Sequence, residues 1–339
     1  MLDFWKLTAQ FVFMAAQLLT SYFVSEVYRL SSISPAIVYC FWFTMRVRNV
    51  SVNGAHPFLP ALLCRLSSRH PLPFIGLFND SFEMIFVYLA ICLLLKKRMT
   101  LSLLSFSVAA SIKMSALLYA PGALLVFVNE IGFWRTARAA VPAVLFQLLI
   151  GTPFLLSHPV EYLSKSFEFS RKFPWFLSHN WKFLPKATFD STSFHVTLLI
   201  LHVVTLAVFA YRKGWWRGLN LSERGHAIFC IFACNLIGVA FARSLHFSFY
   251  LWYFYTLPFL LVFQAGRLRL WHPFFLVVIE ICWNQWKKYD RHDLENTCAN
   301  WKASLGLTCC HFILLAYLST RTAGSKDSPL PLADSQKQS

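Results

Sequence analysis

Apolar runs of about membrane-crossing length, separated by short polar or basic stretches, repeat along the whole chain. A helix needs roughly 20 apolar residues to cross the hydrocarbon layer, within a range of about 17 to 25. On that measure the pattern predicts spans near residues 7–24, 33–45, 73–95, 100–128, 139–157, 194–211, 226–242, 248–264, 272–284 and 303–319. The windows 33–45 and 272–284 are short, and 100–128 is long enough for two short helices that turn near Lys113. The expected fold is an all-α polytopic membrane protein, a bundle of roughly 8–11 transmembrane helices over residues 1–320 with a long loop at 158–193. The polar stretch 321–339 is expected to be a disordered tail. The first span reads as a retained helix, because only Lys6 precedes it, Asp3 offsets that charge and no small-residue cleavage site follows.

Composition narrows the class. Of 339 residues 57% are hydrophobic and 14% charged, whereas an average soluble domain carries about 25% charge. That is too little charge to cover a soluble globule, and disorder, a collagen-like fibre and a disulfide-stapled module each need a different composition. The net charge of +16 would suggest nucleic acid in a soluble protein. Here the basic residues instead form short clusters between apolar runs: Lys96-Lys97-Arg98, Arg135 with Arg138, Arg212-Lys213 with Arg217 and Arg224, and Arg267 with Arg269. No basic stripe interleaved with aromatics lies outside the spans, so no nucleic-acid partner is expected. Such clusters mark the cytoplasmic ends of membrane helices. Placing them there puts 158–193, 243–247 and 285–302 on the far side and the tail in the cytoplasm, while Arg46, Arg48, Arg65 and Arg69 break the rule within 46–72.

The nine cysteines show no CxxC and the eleven histidines no HExxH, so no metal site is expected. Cys230 and Cys234 share a helical face as small apolar core residues.

Charges inside apolar spans are costly and call for a reason. Asp80 and Glu83, three apart on one helical face, open the 73–95 span. Lys113 lies far along its helix from the basic edge, and Arg243-Ser244-Leu245-His246 precedes the aromatic run Tyr250 to Tyr255. All three fall on the far side together with Arg171, Lys172, His179, Trp181 and Lys182. Carboxylates, cations and aromatics at the lipid boundary suit an amphipathic anionic ligand. Two plainer readings stand beside this: Asp80 or Glu83 simply neutralises Lys113, and the aromatic run is an interfacial belt.

Four strings follow one another in a recognisable order: Leu77-Phe78-Asn79-Asp80, Ser111-Ile112-Lys113-Met114 running to Ala120-Pro121-Gly122, Asn180-Trp181-Lys182-Phe183-Leu184-Pro185, and Arg243-Ser244-Leu245-His246 with Trp252-Tyr253-Phe254 and Leu257-Pro258. In these the chain resembles the dolichyl-phosphate-mannose-dependent alpha-1,3-mannosyltransferases of asparagine-linked glycosylation, from residue 73 to about 284. The resemblance implies a GT-C type bundle in the endoplasmic reticulum membrane with its active site facing the lumen. It implies an inverting transfer of mannose from dolichyl-phosphate-mannose to the five-mannose oligosaccharide on dolichyl diphosphate. Inversion requires a base for the acceptor hydroxyl and positive charge for the departing phosphate; a lipid phosphate held by Arg and Lys requires no metal or other cofactor.

Carried over to this sequence, the resemblance makes Lys113, Arg243 and His246 the candidates for the donor phosphate. Asp80 is the candidate catalytic carboxylate, as a hydrogen-bond acceptor for sugar hydroxyls or as the base, with Asn79 beside it in the substrate site, and Trp181 and the 250–255 aromatics would line the sugar and dolichol path. The family's additional first helix and acidic luminal loop are expected to be missing, since Asp3 is the sole acid before Glu26; 43–72 and 285–287 also depart from the pattern. The alternatives are a catalytically inactive truncated isoform and, as a different class, a polytopic transporter.

Overall fold

The computed structural model describes residues 2–39, 79–166, 168, 173–219, 221–284, 286–287 and 298–320. Its main helices are α1 (Leu2–Leu30), α2 (Asp80–Leu95), α3 (Met99–Ile112), α4 (Ala120–Ile131), α5 (Phe133–Ser157), α6 (Pro159–Ser166), α7 (Lys186–Phe189), α8 (Thr192–Lys213), α9 (Arg224–Ala240), α10 (Leu251–Phe254), α11 (Thr256–Ala265), α12 (Trp271–Asn284) and α13 (Trp301–Ser319). A two-residue antiparallel pairing, Trp286–Lys287 with Cys298–Ala299, follows α12. The protein is an all-α polytopic membrane protein. Six segments among the described residues are long and apolar enough to cross a bilayer: Phe11–Leu30, Met114–Ile131, Phe133–Ser157, Thr192–Lys213, Leu221–Ala240 and Trp301–Ser319.

Polar ties show which helix ends lie together. At one end Lys96 pairs with Glu26 at 2.9 Å and Lys97 with Glu130 at 2.7 Å. Glu130 also accepts the Leu221 N–H at 2.8 Å. Lys213 donates to Gln264 at 2.9 Å and to the Thr320 carbonyl at 2.5 Å. The basic clusters at 96–98, 135–138, 212–224 and 267–269 therefore adjoin one end of the bundle, as the charge pattern expects. At the other end lie Asp80, Lys113, the 173–185 loop, the 241–250 segment, Trp283 and Ser304. Counted among the described residues, ten segments run between these ends: α1, α2, α3, 114–131, α5, α8, α9, 247–265, α12 and α13. The 33–45 window lies mostly outside the described residues, as do 43–72 and the tail 321–339.

Burial sorts the helices. α9 is buried along Ala227–Ala240 and forms the core. α5 and α8 lie outside, exposing Val144, Leu145, Leu148 and Leu149 on one and Val196, Leu199, Ile200 and Val203 on the other. In lipid such faces are solvated and carry no penalty. Small residues bring the inner helices close, as membrane helix packing requires. A Cβ on Gly122 of α4 would meet the Ile231 Cα at 2.6 Å and the Cys230 carbonyl oxygen at 2.8 Å. Cys230 and Cys234 are buried here as small core residues.

Two spans are divided, one as the sequence reading expects and one against it. The 100–128 run breaks at Lys113, whose extended backbone (φ −158°, ψ 135°) separates α3 from a 3-10 turn at Met114–Tyr119 that leads into α4. This is the division expected of that window. The 248–264 run, read as one span, is divided into a 3-10 turn at Phe247–Tyr250, α10 and α11. Its carbonyls turn aside to tertiary partners: Trp252 accepts from Asn235 at 3.0 Å and from the Tyr119 hydroxyl, and Tyr255 accepts from Tyr28 at 2.7 Å.

Candidate active site

The first turn of α2 grips the break in the α3–α4 run. Asn79, preceding α2, reaches the Ile112 carbonyl at 3.4 Å. Asp80 pairs with Lys113 at 2.5 Å. Glu83 accepts from the Ser115 hydroxyl at 2.5 Å. Both carboxylates are wholly buried, while Lys113 keeps 23% of its side chain exposed. Asp80 Oδ1 also accepts the Trp252 indole N–H at 2.5 Å, and Lys113 Nζ lies 4.4 Å from the Phe249 ring centre and 5.0 Å from that of Trp252. Phe249 and Trp252 stack at 3.8 Å. The result is a partly exposed lysine against an aromatic wall, a surface that suits an anion carried on an apolar chain.

A second group is built by backbone. The Asn180 amide donates to the Ala242 carbonyl at 2.7 Å, and the Trp181 indole donates to the same oxygen at 2.8 Å. Asn180 Oδ1 accepts the Leu245 N–H at 2.7 Å, and the His179 N–H donates to the Leu245 carbonyl at 2.7 Å. The Lys182 N–H donates to Ser304 of α13 at 2.8 Å. Two strings far apart in sequence thus become one structural unit carrying Arg243, which is half-buried.

His246 joins the two groups, meeting the Phe249 ring edge-on at 5.9 Å between centres. Burial and, after it, the charge of Lys113 push its imidazole down to about 4. The expected third cation is thus a neutral ring at pH 7, able to donate or accept a hydrogen bond. His179, stacked on Trp283 at 4.9 Å, is pushed down to about 3 by burial and by the neighbouring His246 and Lys182.

The expected residues Asn79, Asp80, Lys113 and His246 thus come together, while Trp181 and Arg243 belong to the adjoining loop. Arg171 and Lys172 lie outside the described residues. The interfacial-belt reading of the aromatic run does not hold: Leu251, Trp252, Tyr253 and Tyr255 are buried, and the Tyr253 hydroxyl meets Trp283 at 2.6 Å and His311 at 2.8 Å. Sequence reasoning passed over Ser115 and Ser304, whose uncharged side chains carry no periodic or electrostatic signal, and gave no role to Asn180 although it opens one of the four strings. Among the described residues no three of His, Cys, Asp or Glu are placed to hold a metal ion.

Residues 6–289 match the family described as ALG3 protein. The chain belongs to that family. Its relatives include the human Dol-P-Man:Man(5)GlcNAc(2)-PP-Dol alpha-1,3-mannosyltransferase, 35% identical over 283 residues that cover 77% of this chain and 62% of the relative. The Arabidopsis thaliana protein of the same name is 36% identical over 252 residues, covering 66% of this chain and 57% of the relative. The chain therefore spans about three fifths of the length of these curated relatives. No solved structure matches it.

Proposed function

We propose that this chain transfers mannose from dolichyl-phosphate-mannose, in alpha-1,3 linkage and with inversion, to the five-mannose oligosaccharide on dolichyl diphosphate. The site would face the lumen of the endoplasmic reticulum, with the basic end of the bundle in the cytoplasm. One observation carries the reading beyond family membership: the partly exposed Lys113 side chain, its ammonium held by buried Asp80 against Phe249 and Trp252.

In this scheme Lys113 and Arg243 receive the charge that develops on the departing lipid phosphate, where a fixed cation in a dry site is worth most. Neutral His246 contributes a hydrogen bond. The acceptor hydroxyl gives its proton to a general base in the same displacement, and no residue is proposed for that base. Asp80, a candidate acceptor for the sugar hydroxyls or a candidate for that base, is buried with Oδ1 bonded to Lys113 and Trp252; its proposed part is to hold Lys113 in place. The aromatic wall would take the first apolar units of the dolichol chain.

The test is expression in cells lacking the alpha-1,3-mannosyltransferase, with analysis of their lipid-linked oligosaccharides. Growth of the five-mannose species to six or more mannoses is expected; at unchanged protein level Lys113→Ala should abolish it, and Arg243→Ala should reduce it strongly while leaving a residual turnover that the purified protein still shows. Persistence of the five-mannose species with the unaltered chain present in the membrane would refute the activity.

A further inference from the structure

Asn180 is buried and uncharged, yet both halves of its amide are engaged. Oδ1 accepts from the Leu245 N–H at 2.7 Å and the Ser178 hydroxyl at 2.8 Å, while Nδ2 donates to the Ala242 carbonyl at 2.7 Å. Residues 242 and 245 bracket Arg243 and Ser244, so one side chain grips the chain on both sides of the arginine as it leaves α9. Its neighbours tighten the hold. Trp181 adopts a left-handed backbone (φ 57°), unusual for a bulky residue, and its indole reaches the same Ala242 carbonyl. The His179 N–H closes onto Leu245 from the other side.

A planar amide is suited to this place because it offers an acceptor and a donor in one rigid group. Aspartate would keep the acceptors and lose the donor; alanine would leave the Leu245 N–H and one bond to Ala242 unmet in a buried site. We infer that Asn180 is a positioning residue for Arg243: it sets the backbone from which the guanidinium meets the phosphate of the mannose donor. This rests on the reading of Arg243 proposed above. Asn180 touches no substrate in this scheme and acts only through the loop.

The experiment compares the purified full chain with N180A, R243A and the double variant, using dolichyl-phosphate-mannose and the five-mannose acceptor. Loss of the two buried hydrogen bonds to residues 242 and 245 should raise the KM for the mannose donor about ten-fold or more in N180A. The KM for the acceptor should stay the same, and the double variant should be no worse than R243A alone. Independent multiplication of the two effects, or a change confined to the acceptor, would overturn the assignment. Hydrogen exchange supplies a readout that does not depend on turnover. The Leu245 amide should exchange about ten-fold faster in N180A and at the wild-type rate in R243A; an unchanged Leu245 rate in N180A overturns the proposal. If the unaltered chain transfers no mannose, the proposed function fails while exchange still decides the role of Asn180. Should N180A not fold, S178A replaces it, removing only the hydroxyl that orients Oδ1. A smaller rise in the donor KM is then expected, again absent on the R243A background, and no rise overturns the assignment.

Discussion

Asp80 Oδ1 accepts two strong donors, the Lys113 ammonium and the Trp252 indole, in a position closed to solvent. Removing one partner of a buried ion pair leaves a charge uncompensated and costs about 3–5 kcal/mol, whereas replacing both partners is often neutral. Asp80→Asn should therefore lower stability in detergent by an amount near the lower end of that range, since Lys113 is partly open, and should abolish transfer. Adding Lys113→Met should restore the stability and leave transfer absent. Thermal unfolding alongside the transfer assay separates the two effects, and restored transfer in the double variant would remove Lys113 from the mechanism. At this scale the sequence exposed the costly charges, because an Asp, a Glu and a Lys within apolar runs stand out. It left two carboxylates as equal candidates for one lysine. Side-chain reach decided between them: Glu83 lies nearly one turn further along α2 and meets Ser115 instead.

The elements rest on close approach as much as on apolarity. Gly122 faces backbone atoms of α9, which cannot swing aside, while a Cβ on Gly238 would meet only the flexible Leu118 side chain, at 2.7 Å. Overpacking a filled interior costs about 1–3 kcal/mol. Gly122→Ala should reach that range by forcing α4 and α9 apart, and Gly238→Ala should cost distinctly less; a comparison of melting temperatures decides, and equal losses would mean that the α4–α9 contact relaxes freely. Spans were legible because hydropathy is a local property. The subdivision of 247–265 was not, because its irregular turns are held by Tyr28, Tyr119 and Asn235, from distant parts of the chain.

Across the whole molecule the charge pattern and the contacts agree on two distinct ends. One carries the basic clusters, with Lys96 and Lys97 paired to acids of α1 and α4; the other carries the Lys113 and Arg243 groups. If the positive-inside rule governs orientation, the Asn220-Leu221-Ser222 sequon at the basic end stays unmodified. An acceptor sequon inserted between Asp190 and Thr192 should then become glycosylated. Mobility shifts on glycosidase treatment report both, and the reverse pattern would invert the proposed orientation.

Hydropathy, charge clusters and four short motifs, all readable along a single chain, determined the membrane class, the alternation of the helices and the residues worth suspecting. Each is a property of neighbours in sequence. Tertiary structure alone decided that Lys113 belongs to Asp80, that His246 is held neutral, that the aromatic run is buried, and that Asn180 grips the Arg243 loop. Those outcomes depend on distances between segments more than thirty residues apart and on burial, and no local pattern encodes either.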